Sequence, residues 1–211
     1  VQGGGLKVIT TLDKNMQDAA VATAQKYTEE AATKAKPKQD ASQLHVAISS
    51  VDTATGGVLA MYGGPDYTTN SRNWSTTPRP AASTFKSFAT VAGLRNGYSL
   101  DSTLKGDTFT PRGEGVPVRN EFSEQYGDVT LRKAVAESIN TAFVDMTESM
   151  NNGPAAVIKA ANDAGAPTGA GWDANNRIAL GAAEVSPLNM ANAYASLADS
   201  GKRKETHFVA K

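Results

Sequence analysis

The chain has 211 residues, 40% of them apolar and 20% charged, the balance of a folded protein with one sizeable core. Its 21 basic and 21 acidic residues cancel, and no segment gathers Lys or Arg into a phosphate-tracking surface, so no nucleic-acid partner is expected. Cysteine is absent, which excludes disulfides, thiolate metal ligands and a cysteine nucleophile.

No run approaches the roughly 18 apolar residues that span a bilayer. The opening Val1-Gln2-Gly3-Gly4-Gly5 has no charged-then-apolar signal layout. With no initiator methionine, and with Phe208-Val209-Ala210-Lys211 reading as a strand just begun, the sequence is expected to be a piece of something longer, any anchor or export signal lying outside it.

Leu6 to Leu12 is a β-branched, alternating run that predicts a short strand. Asp13 caps a helix that is predicted from Lys14 to about Lys36, with Met16, Ala20, Ala24, Tyr27 and Ala31 on one stripe. Pro37 breaks a charged loop. Leu44–Val51 and Gly57–Tyr62 flank Asp52-Thr53-Ala54-Thr55-Gly56 and predict a β-hairpin. Gly63 to Pro80 has no periodicity and predicts a long loop, which delivers the chain to Ala81-Ala82-Ser83-Thr84-Phe85-Lys86.

From there Phe85, Phe88, Ala89, Ala92 and Leu94 form a helical stripe ending at Gly97, which sets Ser83 at a helix N-terminus. Leu100 to Tyr126 reads as turns with at most short strands. Helical character returns at Val129–Ala136, after Ser138-Ile139-Asn140 at Phe143–Thr147, at Pro154–Ala164, at Asn176–Leu180 and at Pro187–Leu197. β-segments first and helices after predict a mixed α/β or α+β domain. The expected layout is residues 1–65 as the first strands and helix of a sheet subdomain, 66–200 as a mostly helical subdomain, and 201–211 as the start of a returning strand.

Ser83 and Lys86 stand three residues apart, so on a helix they share a face. A serine hydroxyl needs a neighbour to take its proton, and a lysine can do so only where its surroundings hold it neutral. The pair is therefore a candidate nucleophile and base. With 15 serines and 13 lysines, about one Ser-x-x-Lys arises by chance, and the chain contains two. The second, Ser102-Thr103-Leu104-Lys105, lies in turn material with no apolar helix behind it and is set aside. Ser-x-Asn occurs at Ser71, Ser138 and Ser149; only Ser138-Ile139-Asn140 sits between helical apolar segments. On the tetrapeptide alone, Ser83 more often reads as a helix N-cap and Lys86 as a solvated first-turn lysine.

In these residues the chain resembles the transpeptidase domain of penicillin-binding proteins, in particular the bifunctional class A type, whose elements are Ser-x-x-Lys, Ser-x-Asn and Lys-Thr-Gly. Ser83-Thr84-Phe85-Lys86 matches the first and Ser138-Ile139-Asn140 the second. The flanks Val8-Ile9-Thr10-Thr11-Leu12-Asp13, Gly56-Gly57-Val58-Leu59-Ala60-Met61, Thr130-Leu131-Arg132 and Leu180-Gly181-Ala182 through Leu188 match as well. The resemblance implies an antiparallel sheet flanked by helices, with a mostly helical subdomain and a sheet left incomplete in this chain.

There are two departures. Ala82 stands where the family usually has glycine, which is tolerable unless the backbone there needs a positive φ. The sequence contains no Lys-Thr-Gly, so the chain alone is expected to be inactive and to work with a C-terminal fragment carrying that motif.

The resemblance implies a D,D-transpeptidase that cross-links peptidoglycan stem peptides through a Ser83 acyl-enzyme and is acylated by β-lactams. Lys86 would be the proton acceptor, Ser138 a proton relay and Asn140 a substrate-binding residue. Trp74 and Tyr67, in the loop before Ser83, are candidates to line the cleft or simply to pack the loop. No cofactor or metal is implied: the two histidines, His45 and His207, have no acidic cluster spaced like ligands. The implied location is the extracytoplasmic face of the bacterial membrane. A D,D-carboxypeptidase or β-lactamase on the same fold, or a non-catalytic β-lactam sensor or platform, are the alternatives. Glu137, next to Ser138, is the one residue a hydrolytic reading would recruit, against a plain role on a solvated helix face.

Overall fold

The structure is a computed structural model and describes residues 4–210. In chain order its elements are α1 (Lys14–Lys34), β1 (Ile48–Val51), β2 (Val58–Tyr62), β3 (Arg79–Pro80), α2 (Lys86–Arg95), β4 (Thr103–Lys105), β5 (Asp128–Thr130), α3 (Leu131–Ala136), α4 (Asn140–Ser149), α5 (Gly153–Ala164), β6 (Glu184–Val185) and α6 (Pro187–Ala198). Short 3-10 turns occur at Ala41–Gln43, Ala82–Phe85, Glu121–Ser123 and Asn176–Leu180. The chain forms two compact units, one of residues up to Pro78 together with Ser186 onward, the other of Arg79–Val185.

In the first unit β1 and β2 pair antiparallel, from Ile48 opposite Tyr62 to Val51 opposite Val58. The turn is tied by Asp52, whose carboxylate accepts from the backbone N–H groups of Ala54 and Thr55 and from the Thr55 hydroxyl; these bonds hold its carboxyl below the usual range. Asp13 caps α1 by accepting from the Met16 N–H at 2.8 Å. One face of α1 lays Ala20 and Ala24 on Ala60 and Tyr62, with Val21, Val46 and Ile48 closing the cluster. Small residues on the helix let it approach the pleated surface closely. Gln17 adds two bonds to the Met61 backbone, donating to its carbonyl at 3.1 Å and accepting from its N–H at 2.9 Å.

The strand expected over Leu6–Leu12 is absent as such. Thr10 makes a single antiparallel bridge to Val209, while Leu6, Val8 and Ile9 are exposed. A β-branched run becomes a strand only where a partner edge and a surface to pack on exist. The closing residues bridge back onto this unit, His207 to Gly57 and Val209 to Thr10; Lys211 and Val1–Gly3 lie outside the described residues.

The second unit is mainly helical. Phe85, Phe88, Leu131, Ile139, Phe143, Met146, Val157 and Ile178 are buried in its core. Phe85 meets Phe88 and Trp172 edge-on, each with ring centroids 5.3 Å apart, an arrangement that suits the ring quadrupoles. Two small antiparallel pairs frame the core: Arg79 opposite Val185, and Thr103 opposite Thr130 through Lys105 opposite Asp128. Val129, read from the sequence as helical, is thus on a strand, and α3 starts after Thr130, whose hydroxyl caps it by accepting from the Lys133 N–H. Helices with small antiparallel pairs are the mixed class that the sequence predicts.

Candidate active site

Ser83 lies in the 3-10 turn Ala82–Phe85, and the α-helix proper begins only at Lys86. In 3-10 geometry residues i and i+3 eclipse each other, so the Lys86 side chain passes directly under Ser83. Its Nζ is 3.1 Å from Ser83 Oγ. Ser83 is exposed, whereas Lys86 is 5% exposed: the hydroxyl is open to a substrate while the amine is withheld from water.

Ser138 and Asn140 arrive from another part of the unit. The peptide between α3 and α4 turns at Ser138 in the left-handed region, φ +55°, which aims both its carbonyl and its side chain back at α2. Lys86 Nζ lies 2.6 Å from Ser138 O, 2.9 Å from Ser138 Oγ and 2.6 Å from Asn140 Oδ1. Asn140 donates through Nδ2 to the Arg119 carbonyl at 3.2 Å, and this bond fixes which end of its amide faces the lysine. The Phe143 ring, 5.6 Å from Nζ, closes the apolar side.

These four contacts outnumber the hydrogens of the amine. Ser138 O and Asn140 Oδ1 can only accept, so in the neutral amine they take both N–H groups and leave the lone pair for one hydroxyl, that of Ser83 or that of Ser138. The protonated form donates to the same two acceptors and gives its third N–H to one hydroxyl. The site therefore accommodates the amine in either state without moving a heavy atom. Burial is the main influence on its charge: it pulls the Lys86 ammonium from the ordinary 10.5 down to about 8, with the opposing charge of Glu121 limiting the fall.

The backbone before the nucleophile carries a second constraint. Ala82 has φ +49°, the conformation in which the glycine usual at this place would be unstrained, so the condition under which its methyl group costs stability is met. Its N–H donates to Gly181 O at 2.9 Å, and that of Ala81 to Ala183 O at 2.9 Å. Gly181 is itself at φ +78°, and a Cβ there would lie 2.0 Å from Ala82 O. The Leu180–Ala183 stretch is thus a close-fitting backing for the turn that presents Ser83.

The structure brings Ser83, Lys86, Ser138 and Asn140 together. Trp74, the remaining candidate, belongs to the first unit, where its ring stacks on His45 with centroids 4.2 Å apart and lies 5.1 Å from the Arg72 guanidinium. Tyr67 is 73% exposed. The second Ser-x-x-Lys is pulled apart: Ser102 Oγ accepts from Ser99 N–H, and Lys105, on β4, pairs with Asp145 at 2.8 Å. Arg177 pairs with Glu114 at 2.8 Å, and Glu137 is exposed at the end of α3. Among the described residues no group of three or more His, Cys, Asp or Glu is placed to hold a metal ion. Sequence reading missed Asn120 and the roles of the Arg119 carbonyl and Gly181. Their partners are tens of residues away, and only Gly181 fell within a flank of the family resemblance.

The family model of the penicillin-binding protein transpeptidase domain matches residues 46–211. The chain belongs to this family. It is similar to penicillin-binding protein 1A of Mycolicibacterium smegmatis, 35% identical over 98% of this chain and 26% of the relative. It is likewise similar to penicillin-binding protein 1A of Mycobacterium tuberculosis, 33% identical over 98% of this chain and 25% of the relative. Among solved structures it superposes on the PonA1 protein from Mycobacterium tuberculosis in complex with penicillin V, with a TM-score of 0.81 and 30% identity over 96% of this chain and 54% of that one. The chain spans about a quarter of the length of these curated relatives.

The strain at Ala82 is directly testable. Ala82→Gly is expected to raise stability by roughly 0.5–1 kcal/mol, the left-handed penalty relieved less the extra entropy of a glycine in the unfolded chain. Equilibrium urea denaturation measures it; a lower midpoint in the variant would show that the methyl group is not strained.

Proposed function

We propose that this chain carries the acylating half of a peptidoglycan D,D-transpeptidase site, with Ser83 as nucleophile and Lys86 as its base. The observation that carries the reading is the buried amine 3.1 Å from an exposed hydroxyl, held by two groups that can only accept. Ser83 Oγ attacks the carbonyl between the two terminal D-alanines of a stem peptide as its proton passes to the Lys86 lone pair. The C–N bond then breaks. The proton moves from Lys86, by way of the Ser138 hydroxyl 2.9 Å away, to the departing D-alanine amine. Asn140 orients Lys86 and offers its amide to the substrate backbone.

The acyl-enzyme that remains is resolved by an amine from a neighbouring stem, which forms the cross-link and restores the serine. A β-lactam enters by the same attack and leaves Ser83 acylated. The sequence contains no Lys-Thr-Gly; we propose that a segment beyond these residues supplies that element, with its share of the oxyanion and substrate-carboxylate contacts, and that the present stretch alone is inactive. Loss of one oxyanion donor costs about 100- to 1,000-fold in rate. Among the described residues no helix is long and apolar enough to cross a membrane, so the proposed placement at the outer face of the cytoplasmic membrane requires an anchor elsewhere in the protein.

In the full-length protein, Ser83→Ala is expected to abolish covalent labelling by a fluorescent penicillin, while Ser102→Ala labels like the parent. Labelling that survives Ser83→Ala would overturn the assignment. The rate of labelling should also follow the neutral amine. Below about pH 8 it should climb about tenfold per pH unit and above it level off, since deprotonation creates the acceptor. A rate that is flat between pH 6 and 8 would remove Lys86 from the role of base.

A further inference from the structure

Helix α4 opens on the residues that hold the lysine, yet its N-cap residue, Ile139, has no side-chain oxygen to give. The cap is supplied from 21 positions earlier. Asn120 Oδ1 accepts from the Thr141 N–H at 3.1 Å and from the Thr141 hydroxyl at 3.1 Å. Its Nδ2 donates to Gly106 O at 2.6 Å and to Glu124 O at 3.0 Å. The side chain, 7% exposed, thus uses both of its donors and both acceptor positions, joining the start of α4 to the end of β4 and to the turn that follows Asn120 itself.

That turn is under strain: Phe122 and Ser123 are consecutive non-glycine residues at φ +52° and +59°. Such conformations persist only where their surroundings over-determine them. The bond from Asn120 Nδ2 to Glu124 O closes the turn across the strained pair. The residue before Asn120 completes the connection, since the Arg119 carbonyl is the acceptor that orients Asn140. A single amide therefore fixes the first turn of α4 through Thr141 and, through the adjoining peptide, the amide of Asn140. Ser138, at φ +55°, is two residues before that first turn.

We infer that Asn120 is a positioning residue for the acylation step, holding Asn140 and Ser138 in register with Lys86. The inference rests on the proposed role of Ser83 and Lys86. With Asn120 removed, the capping bond and the closing bond are lost together, the Ser138–Asn140 turn drifts from the amine, and water reaches Lys86. Because Asn140 also offers its amide to the ligand, binding of the β-lactam before bond formation weakens too, but the displaced amine is felt in the bond-forming step and in its pH dependence.

The test is single-turnover labelling of the full-length protein by a fluorescent penicillin across pH, with folded fraction fixed by thermal denaturation and Ser83→Ala as blank. Asn120→Ala should lower the first-order acylation rate roughly 10- to 100-fold, the scale on which a misplaced group acts. The first-order rate should fall by a larger factor than the non-covalent complex weakens, and the pH midpoint should move up from about 8 as the amine regains water. Folded Asn120→Ala that labels at the parent rate with the parent midpoint would overturn the inference. If Asn120→Ala does not fold, Thr141→Val, which removes only the hydroxyl bond to Oδ1, decides. It should slow acylation several-fold with an upward midpoint shift, and parent-like behaviour would again overturn it. Failure of the parent itself to label, by contrast, would count against the assignment of Ser83 rather than against Asn120.

Discussion

The site is built around the cost of taking the Lys86 amine out of water. A buried ammonium without partners is heavily penalised, and a lysine in that position either finds acceptors or gives up its proton. Here it does both in part: two acceptors lie at 2.6 Å, and burial lowers its pKa to about 8, so that about a tenth of the amine is unprotonated at pH 7. The two acceptors matter because they bond the amine in either charge state, more strongly when it is protonated, so the proton can come and go while the nitrogen stays in place. The third position is left to whichever hydroxyl the reaction requires, Ser83 for attack or Ser138 for release.

Holding that geometry requires backbone conformations that alanine and serine disfavour. Ala82 and Ser138 both lie in the left-handed region, one aiming the nucleophile and the other the acceptors. Each is braced from a distance: Ala82 by the Gly181 carbonyl and the lack of a side chain on Gly181, and the turn around Ser138 by Asn120 and the Arg119 carbonyl. Strain of this kind, of order 1–3 kcal/mol per residue, gathers at functional sites because it is held in place by the rest of the fold. The helical unit, with Phe85, Phe88 and Phe143 fully buried beneath the site, provides the rigid base on which these braces act.

Much of this was legible in the sequence for a local reason. The hairpin has its own turn residues, α1 its cap and the Ala20 and Ala24 of its expected stripe, although Met16, Tyr27 and Ala31 of that stripe are exposed, and the Ser83–Lys86 spacing is a property of one turn of chain. What escaped was non-local. Nothing in the residue names Ala82 or Ser138 reports a positive φ. The run Leu6–Leu12 has the composition of a strand, but its pairing is decided by Val209, about two hundred positions away. Asn120 sits in a polar stretch that reads as ordinary turn, and only the fold shows that its amide caps a helix starting twenty residues later. The Ser83 turn was read as the start of an α-helix, whereas its 3-10 form, which eclipses the serine and the lysine, is visible only in the backbone.

The central claim is that burial lowers the pKa of Lys86 far enough for an appreciable fraction of the amine to be unprotonated before any substrate arrives. An NMR titration of the lysine side-chain amines in the free full-length protein, with the Lys86 resonance assigned by its loss in Lys86→Arg, measures this directly. A midpoint near 8 is the predicted result. A midpoint at the ordinary lysine value of 10.5 would contradict it, because the amine would then carry its proton throughout and could not receive one from Ser83.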